Sequence, residues 1–204
     1  MKYTAEEICE KLHLDHNQIL NIYPYGSQIY LSSNEYSDSD FIIVYKQSLL
    51  PSGAFRDNAI TSDDCDIQGV CYSKGGFIDA INNYYMSALE AIFLPDEMVV
   101  QKKFNFKLNK YNQKDMVRNI ISFASSSWHN VILSFKDDNF DYVKKNVYHS
   151  LRALKFGLQI KEHGKIVDYT STNNLKRQIY DTVCDCDPKD WYPEFIELSN
   201  ILKS

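Results

Sequence analysis

The chain contains no run approaching the roughly 18 consecutive apolar residues that a membrane-spanning helix requires. Its opening stretch, Met1 to Leu14, carries Glu6, Glu7 and Glu10 where a signal peptide would be basic and then apolar. The expectation is a soluble, cytoplasmic protein. Cysteine is sparse and odd in number: Cys9, Cys65, Cys71, Cys184 and Cys186 form no CxxC pair and no histidine-interleaved zinc pattern. All five read as ordinary thiols, because the single residue between Cys184 and Cys186 is poor spacing for redox or metal work. Positive charge is also in deficit, with 22 Lys and Arg against 27 Asp and Glu, a net charge of -5. A general polycationic grip on nucleic acid is thereby excluded, and any such contact must be local. Internal repeats and long low-complexity segments are absent. What remains is 204 residues, 44% of them hydrophobic, which suits one medium domain or a small catalytic core with a helical extension.

Thr4 followed by Glu7 has the form of a capping box opening a short helix through Leu12, with Ile8 and Leu12 on one face. Gln18 to Tyr25 is apolar and β-branched enough for a strand, interrupted by Pro24 and ended by Gly26. The uninterrupted apolar run Phe41 to Tyr45 predicts a central strand buried on both faces. Ser48 to Asp64 reads as a loop or weak hairpin, Cys65 to Tyr72 as a further strand, and Lys74 to Phe93 as one helix. Glu97 to Gln101 is expected to be a short strand. The basic and polar stretch Lys102 to Lys114 marks a boundary. Beyond it lie helical patterns at Lys114 to Phe135, Phe140 to Glu162, Thr172 to Cys184 and Pro188 to Leu202, with Gly164 as a C-terminal stop. The expected architecture is α+β: a catalytic core over 1–105, then a helical region over 106–204.

Residues two apart on a strand project from the same face, so Asp38 and Asp40 present their carboxylates together, with α-carbons about 6 to 7 Å apart, while Ser39 points away. Paired carboxylates repel unless a cation lies between them, and hard divalent ions with oxygen ligands are the usual solution, Mg²⁺ above all. A third acidic residue on a neighbouring strand would complete a site for two ions about 3.5 to 4 Å apart. Asp66 is the expected one; Asp64 shares its face but belongs to the preceding loop, and Asp63 points away. Upstream, Gly26-Ser27 sits where a strand ends and a short helix, Gln28 to Leu31, begins, so that backbone amides and the Ser27 hydroxyl can approach a phosphate tail.

Tyr25-Gly26-Ser27, then ten residues, then Asp38-Ser39-Asp40 leading into the strand Phe41 to Val44, resembles the motif of the DNA polymerase β nucleotidyltransferase superfamily. Within it, Asp66-Ile67, Phe77 to Ile81, Leu89-Glu90 and a late helix with His149, Leu151 and Arg152 resemble the predicted nucleotidyltransferases assigned to RNA repair. The resemblance spans about Ile22 to Gly164. It implies a small mixed sheet carried on helices, with Asp38, Asp40 and Asp66 as catalytic carboxylates holding two Mg²⁺ ions (Mn²⁺ as substitute) and Gly26-Ser27 holding a nucleoside triphosphate, ATP favoured. The implied reaction is transfer of a nucleoside monophosphate to an acceptor hydroxyl with release of pyrophosphate. An RNA end is the acceptor the resemblance favours. A protein or small-molecule hydroxyl is the alternative, and a silent nucleotide-binding scaffold the third reading.

Lys145, His149 and Arg152 follow helical spacing with Lys144 and Lys155, giving one basic face that either contacts nucleotide phosphates or RNA, or is simply solvated and balanced by Asp137, Asp138 and Asp141. Tyr84, Tyr85, Phe104 and Phe106 interleave with Lys102, Lys103, Lys107 and Lys110, the one such mixture in the chain, and serve either a nucleic-acid surface or the core.

Overall fold

The structure, a computed structural model, describes residues 3–30, 39–47, 58–181 and 187–204. At the N-terminus the Thr4 hydroxyl accepts the Glu7 amide while the Glu7 carboxylate accepts the Thr4 amide, the reciprocal capping box read from the sequence. Helix α1 (Ala5–Lys11) follows and buries Ala5, Ile8 and Cys9. The chain as a whole divides into two compact units: Met1–Asn83 with Ser87–Lys110, and Tyr84–Met86 with Tyr111–Ser204.

The first unit is built on a five-stranded mixed sheet of β1 (Ile19–Tyr25), β2 (Ser39–Tyr45), β3 (Asn58–Thr61), β4 (Ile67–Ser73) and β5 (Gln101–Lys102), in the order β3-β4-β2-β1-β5. β2 runs parallel to β4 and antiparallel to β1, which places the apolar run between two neighbours, as its composition predicts. Its alternating residues Phe41, Ile43 and Tyr45 join Ile67 and Cys71 of β4 and Ile8, Cys9 and Leu12 in one buried cluster. On the opposite face Tyr23 and Tyr72 pack their rings against Phe77 of α2 (Lys74–Asn82), which also meets Phe106 edge-on. Pro24 is tolerated inside β1 because the carbonyls of Leu20 and Ile22 face β5, so Pro24 turns its missing N–H to that side, past the point where β5 pairs. The buried Asn21 side chain extends that short edge by hydrogen bonding both the amide and the carbonyl of Phe104, each at 2.9 Å.

Several local expectations are corrected. The segment Lys74 to Phe93 forms two helices, α2 and α3 (Met86–Ile92), because Asn83 closes α2 and Tyr84 adopts a left-handed φ of 55°. Apolar periodicity continues across that break, since Ile81 and Tyr84 are both buried, and so the break is invisible to pattern. Of the strand expected over Glu97 to Gln101, Glu97 and Met98 belong to a 3-10 turn (Asp96–Met98), and only Gln101–Lys102 pairs with β1. Of the loop or hairpin expected over Ser48 to Asp64, residues 48–57 lie outside the described residues, and Asn58–Thr61 forms β3, antiparallel to β4. The aromatic and basic mixture is divided between interior and surface: Tyr84 and Phe106 are buried, the Lys74 ammonium caps the Phe104 ring at 4.0 Å, Lys102 pairs with Asp96, and Tyr85 is exposed.

The second unit contains α4 (Gln113–Lys136), α5 (Phe140–His163), α6 (Asn173–Asp181) and α7 (Pro188–Lys203). α5 is its central element, packing against the other three. At Gly157 a side chain would come within 3.0 Å of Ile120 and 3.1 Å of Leu202, so the bare backbone sets how closely α4 and α7 approach. α5 ends at Gly164 in the left-handed conformation, the stop expected there. Cys184 and Cys186 lie outside the described residues; Cys9 and Cys71 are buried and Cys65 is exposed. No helix among the described residues is long and apolar enough to cross a membrane.

Candidate active site

β1 delivers Tyr25 opposite Asp40 of β2, and the chain then turns sharply at Gly26. Gly26 has φ +69°, and an ideal Cβ there would lie 2.6 Å from Asp40 Oδ2 and 3.5 Å from Asp40 Cγ. Both facts require glycine: L side chains avoid that conformation, and the space is already taken by the carboxylate. The short helix expected at Gln28 to Leu31 is a 3-10 turn over Gly26–Gln28, in which the Ile29 amide donates to the Gly26 carbonyl at 3.2 Å; Leu31 lies outside the described residues. Gln28 reaches back, its amide nitrogen donating to the Asp40 carbonyl at 3.1 Å. Beyond it Ile29 and Tyr30 are buried, and the Tyr30 hydroxyl donates to Oε2 of the fully buried Glu90 at 2.8 Å. The turn carrying Gly26 and the half-buried Ser27 is therefore tied to the Asp40 backbone on one side and to the interior on the other.

The strand expected over Cys65 to Tyr72 runs from Ile67 to Ser73, and Asp66 occupies an exposed bend before it. The register nonetheless brings it to β2, because Ile67 pairs with Ser39 and the Ser39 amide donates to the Asp66 carbonyl at 2.9 Å. Gln68 pairs with Asp40, so the two-residue period assigns Gln68 to the Asp40 face. Asp64 is occupied elsewhere. It pairs with the Lys11 ammonium, accepts the Ser62 hydroxyl at 2.6 Å and accepts the Asp66 amide at 3.2 Å, and these contacts, Lys11 foremost, hold its carboxyl well below the usual range. Asp63 lies 3.2 Å from His13. Asp64 thus closes the β3–β4 turn.

Asp38 lies outside the described residues, and among those described no group of three or more His, Cys, Asp or Glu is disposed to hold a metal ion. The donor chemistry at Asp40 fits a hard divalent cation: a half-buried carboxylate near a strand end, seated against the backbone of Gly26.

Lys145, His149 and Arg152 belong to the second unit, on α5. They do not form a uniform solvated face. Lys145 is exposed, His149 partly buried and Arg152 only 1% exposed, while Lys155 pairs with Glu194 at 3.4 Å. Residues Ser150 to Leu154 are all buried, as happens in a helix packed on every side. The Arg152 guanidinium lies 5.5 Å from the centre of the Tyr148 ring. Lys176 of α6 approaches the same ring at 5.9 Å, a neighbour the sequence does not disclose because it is 24 residues or more from Lys145, His149 and Arg152. Gln28 and Tyr30 were equally unannounced: a polar residue two after Gly26 and an aromatic two further on carry no signal by themselves.

No protein-family model matches the chain and no curated protein does. Among solved structures, the crystal structure of a nucleotidyltransferase-like protein from Exiguobacterium sibiricum 255-15 is similar over 91% of this chain and 69% of that one, with 11% identity and a TM-score of 0.34. A likeness of that degree transfers neither residue roles nor substrate.

Proposed function

We propose that the chain is a divalent-cation-dependent nucleotidyltransferase that moves a nucleoside monophosphate, AMP favoured, from a nucleoside triphosphate to an acceptor hydroxyl. The observation that carries this reading is the seating of the Asp40 carboxylate against the α-carbon of Gly26, in a turn that only glycine can make. A carboxylate and a phosphate tail repel one another in water, so a fold that holds an acidic strand end against a glycine-serine turn makes chemical sense where cations join the two. Asp38, Asp40 and Asp66 would hold two Mg²⁺ ions, or Mn²⁺, which when bound offset phosphate charge and make the acceptor hydroxyl more acidic.

The chain's own residues do the rest. Gly26 lets the backbone approach the triphosphate, and the Ser27 hydroxyl supplies a donor to it. Gln28 and the Tyr30–Glu90 hydrogen bond keep that turn in register with Asp40. The acceptor oxygen bonds to the α-phosphorus as the bond from that phosphorus to the β-phosphate oxygen breaks. Pyrophosphate leaves with the electron pair, and the hydroxyl proton passes to a neighbouring carboxylate, the exposed Asp66 being the candidate. Positioning and charge provide most of the acceleration in such transfers. An RNA end is the proposed acceptor.

The test is incubation with each α-labelled nucleoside triphosphate, Mg²⁺ or Mn²⁺, small RNAs and protein extract, beside Asp40→Asn. Label on RNA from the native protein alone supports the proposal in full. Label on protein or on a small molecule keeps the reaction and replaces the acceptor. Nucleotide binding with no transfer to any acceptor points instead to a silent binding module.

A further inference from the structure

We propose that Lys11 is a positioning residue for Asp66: through the Asp64 carboxylate it fixes the bend that carries Asp66 beside the start of β2. The inference rests on the reading that Asp66 joins Asp40 in holding a divalent cation, and it gives that part of the site a support from the N-terminal helix.

The two oxygens of Asp64 serve different elements. Oδ2 pairs with the Lys11 ammonium at the end of α1, whereas Oδ1 accepts the Ser62 hydroxyl at 2.6 Å and the Asp66 amide at 3.2 Å. The Asp66 carbonyl is held as well, by the Ser39 amide at 2.9 Å. Both backbone polar groups of Asp66 are thus fixed, one through Asp64 and the other by the residue that precedes Asp40, while Asp66 itself remains exposed. Within the turn, the Cys65 amide donates to the Ser62 carbonyl at 2.9 Å, the Ser62 amide to the Ile67 carbonyl at 2.9 Å, and the Ile67 amide to the Ser62 hydroxyl at 3.0 Å. Lys11, 53 residues from Asp64, and His13, 3.2 Å from Asp63, tie that closed turn to α1.

The end of α1 is a fixed mount. Ile8, Cys9 and Leu12 belong to the same buried cluster as Ile67, and a Cβ placed on Gly69 would lie 3.2 Å from Leu12 Cδ1. The last turn of α1 is therefore seated on β4 three residues beyond Asp66, with Lys11 adjoining the seat. Asp63, Asp64 and Asp66 fall within four residues, and like charges so close push a short turn apart unless a cation is brought to it. The hydrogen bond to Asp64 foremost, with smaller contributions from Tyr3 and Asp66, raises the Lys11 pKa, so the Asp66 charge also reaches Lys11. A solvated ion pair of this kind adds little to global stability. Its consequence is geometric, because the partners that orient a metal ligand are worth about tenfold to a hundredfold in metal affinity.

The sign of the effect separates positioning from simple charge. Removing a cationic side chain near a cation site strengthens cation binding when only through-space repulsion changes; loss of positioning weakens it. The experiment is Mn²⁺ binding to the full chain, read from the electron paramagnetic resonance signal of the free ion, with circular dichroism and urea unfolding as checks on the fold. Asp40→Asn and Asp66→Asn are each expected to weaken binding. Lys11→Met is expected to weaken it by about tenfold with a near-native urea midpoint, Lys11→Arg to retain most of the affinity, and Lys11→Met to add nothing in the Asp66→Asn background. The proposal is overturned if Lys11→Met binds Mn²⁺ as tightly as the native chain or more tightly, or if its effect persists undiminished in the Asp66→Asn background. A loss that accompanies a collapse of the urea midpoint and is not avoided by Lys11→Arg overturns it too, since Lys11 is then only structural. Binding indifferent to Asp40→Asn defeats the cation reading of the site and this inference with it. Binding weakened by Asp40→Asn but not by Asp66→Asn leaves Asp40 its role and removes those given to Asp66 and Lys11.

Discussion

Asp40 and Arg152 both stand on the middle element of their unit, one on the central strand and the other on the central helix, and the two elements handle charge in opposite ways. β2 is buried along its length except at Asp40, its second residue, which is half-buried with its carboxylate against the bare backbone of Gly26. α5 has no comparable end at Arg152. Helices pack on every side there, and the guanidinium is enclosed beside Tyr148. A charge at a strand end stays within reach of a small ion from solvent. A charge in the middle of a packed helix must be matched by whatever the fold, or a ligand, brings to it.

The sharpest way to break this comparison is Asp40→Asn, which keeps the shape at Gly26 and removes the charge. Nucleotidyl transfer is expected to fall by roughly a hundredfold to a thousandfold, the usual scale for one preorganised electrostatic group, with the circular dichroism spectrum unchanged. Gly26→Ala attacks the same contact sterically. It is expected to lower stability by about 1–2 kcal/mol from the left-handed backbone alone, read by urea unfolding, and to reduce transfer as well. Combining it with Asp40→Ala should return part of the stability lost to the contact with the carboxylate, a coupling that a double-mutant cycle resolves.

The third comparison is of pH windows. His149 has a lowered pKa in the folded protein, so below the ordinary histidine value the unfolded chain takes up a proton that the folded chain refuses. Its contribution is full above about pH 6.5 and is lost as pH falls toward the lowered folded value; His149→Gln should flatten the urea midpoint across that range. Asp64 in the first unit also loses its contribution on acidification, but in a separate window, from the ordinary carboxylate range downward, and weakly, because it is exposed to solvent. The smallest effect is expected from Lys155→Ala. Its ion pair with Glu194, at 3.4 Å and partly solvated, should be worth about 0.5 kcal/mol or less in thermal unfolding.

Periodicity made the long elements legible. Phe41 to Tyr45 announced a central strand, Thr4 and Glu7 a helix start, Gly164 a helix stop, and each is found where the spacing puts it. The misreadings share a cause: they occur where one pattern covers two structures. Ile81 and Tyr84 continue a helical stripe across the break between α2 and α3, and Glu97 and Met98 fit the start of a strand pattern while forming a turn. At the candidate site, Gly26 and Asp40 could be paired from spacing, since a turn glycine and a strand-end carboxylate each have a local signature. Asp64 and Asp66 could not be separated that way. Their difference lies in Lys11, more than fifty residues from Asp64, whose ammonium hydrogen-bonds that carboxylate.

By itself, then, the sequence determined what nearest neighbours along the chain enforce: helix caps, the faces of strands, the need for glycine in a tight turn, and the alternation that sets Asp40 apart from Ser39. Only the tertiary structure decided what depends on residues distant in the chain. It placed the Asp40 carboxylate against Gly26 through the pairing of β1 with β2, engaged Asp64 with Lys11, and enclosed Arg152 while bringing Lys176 to the same ring. The physical reason is that periodicity reports which side of an element is apolar, whereas burial of a charge depends on how many other elements pack around it.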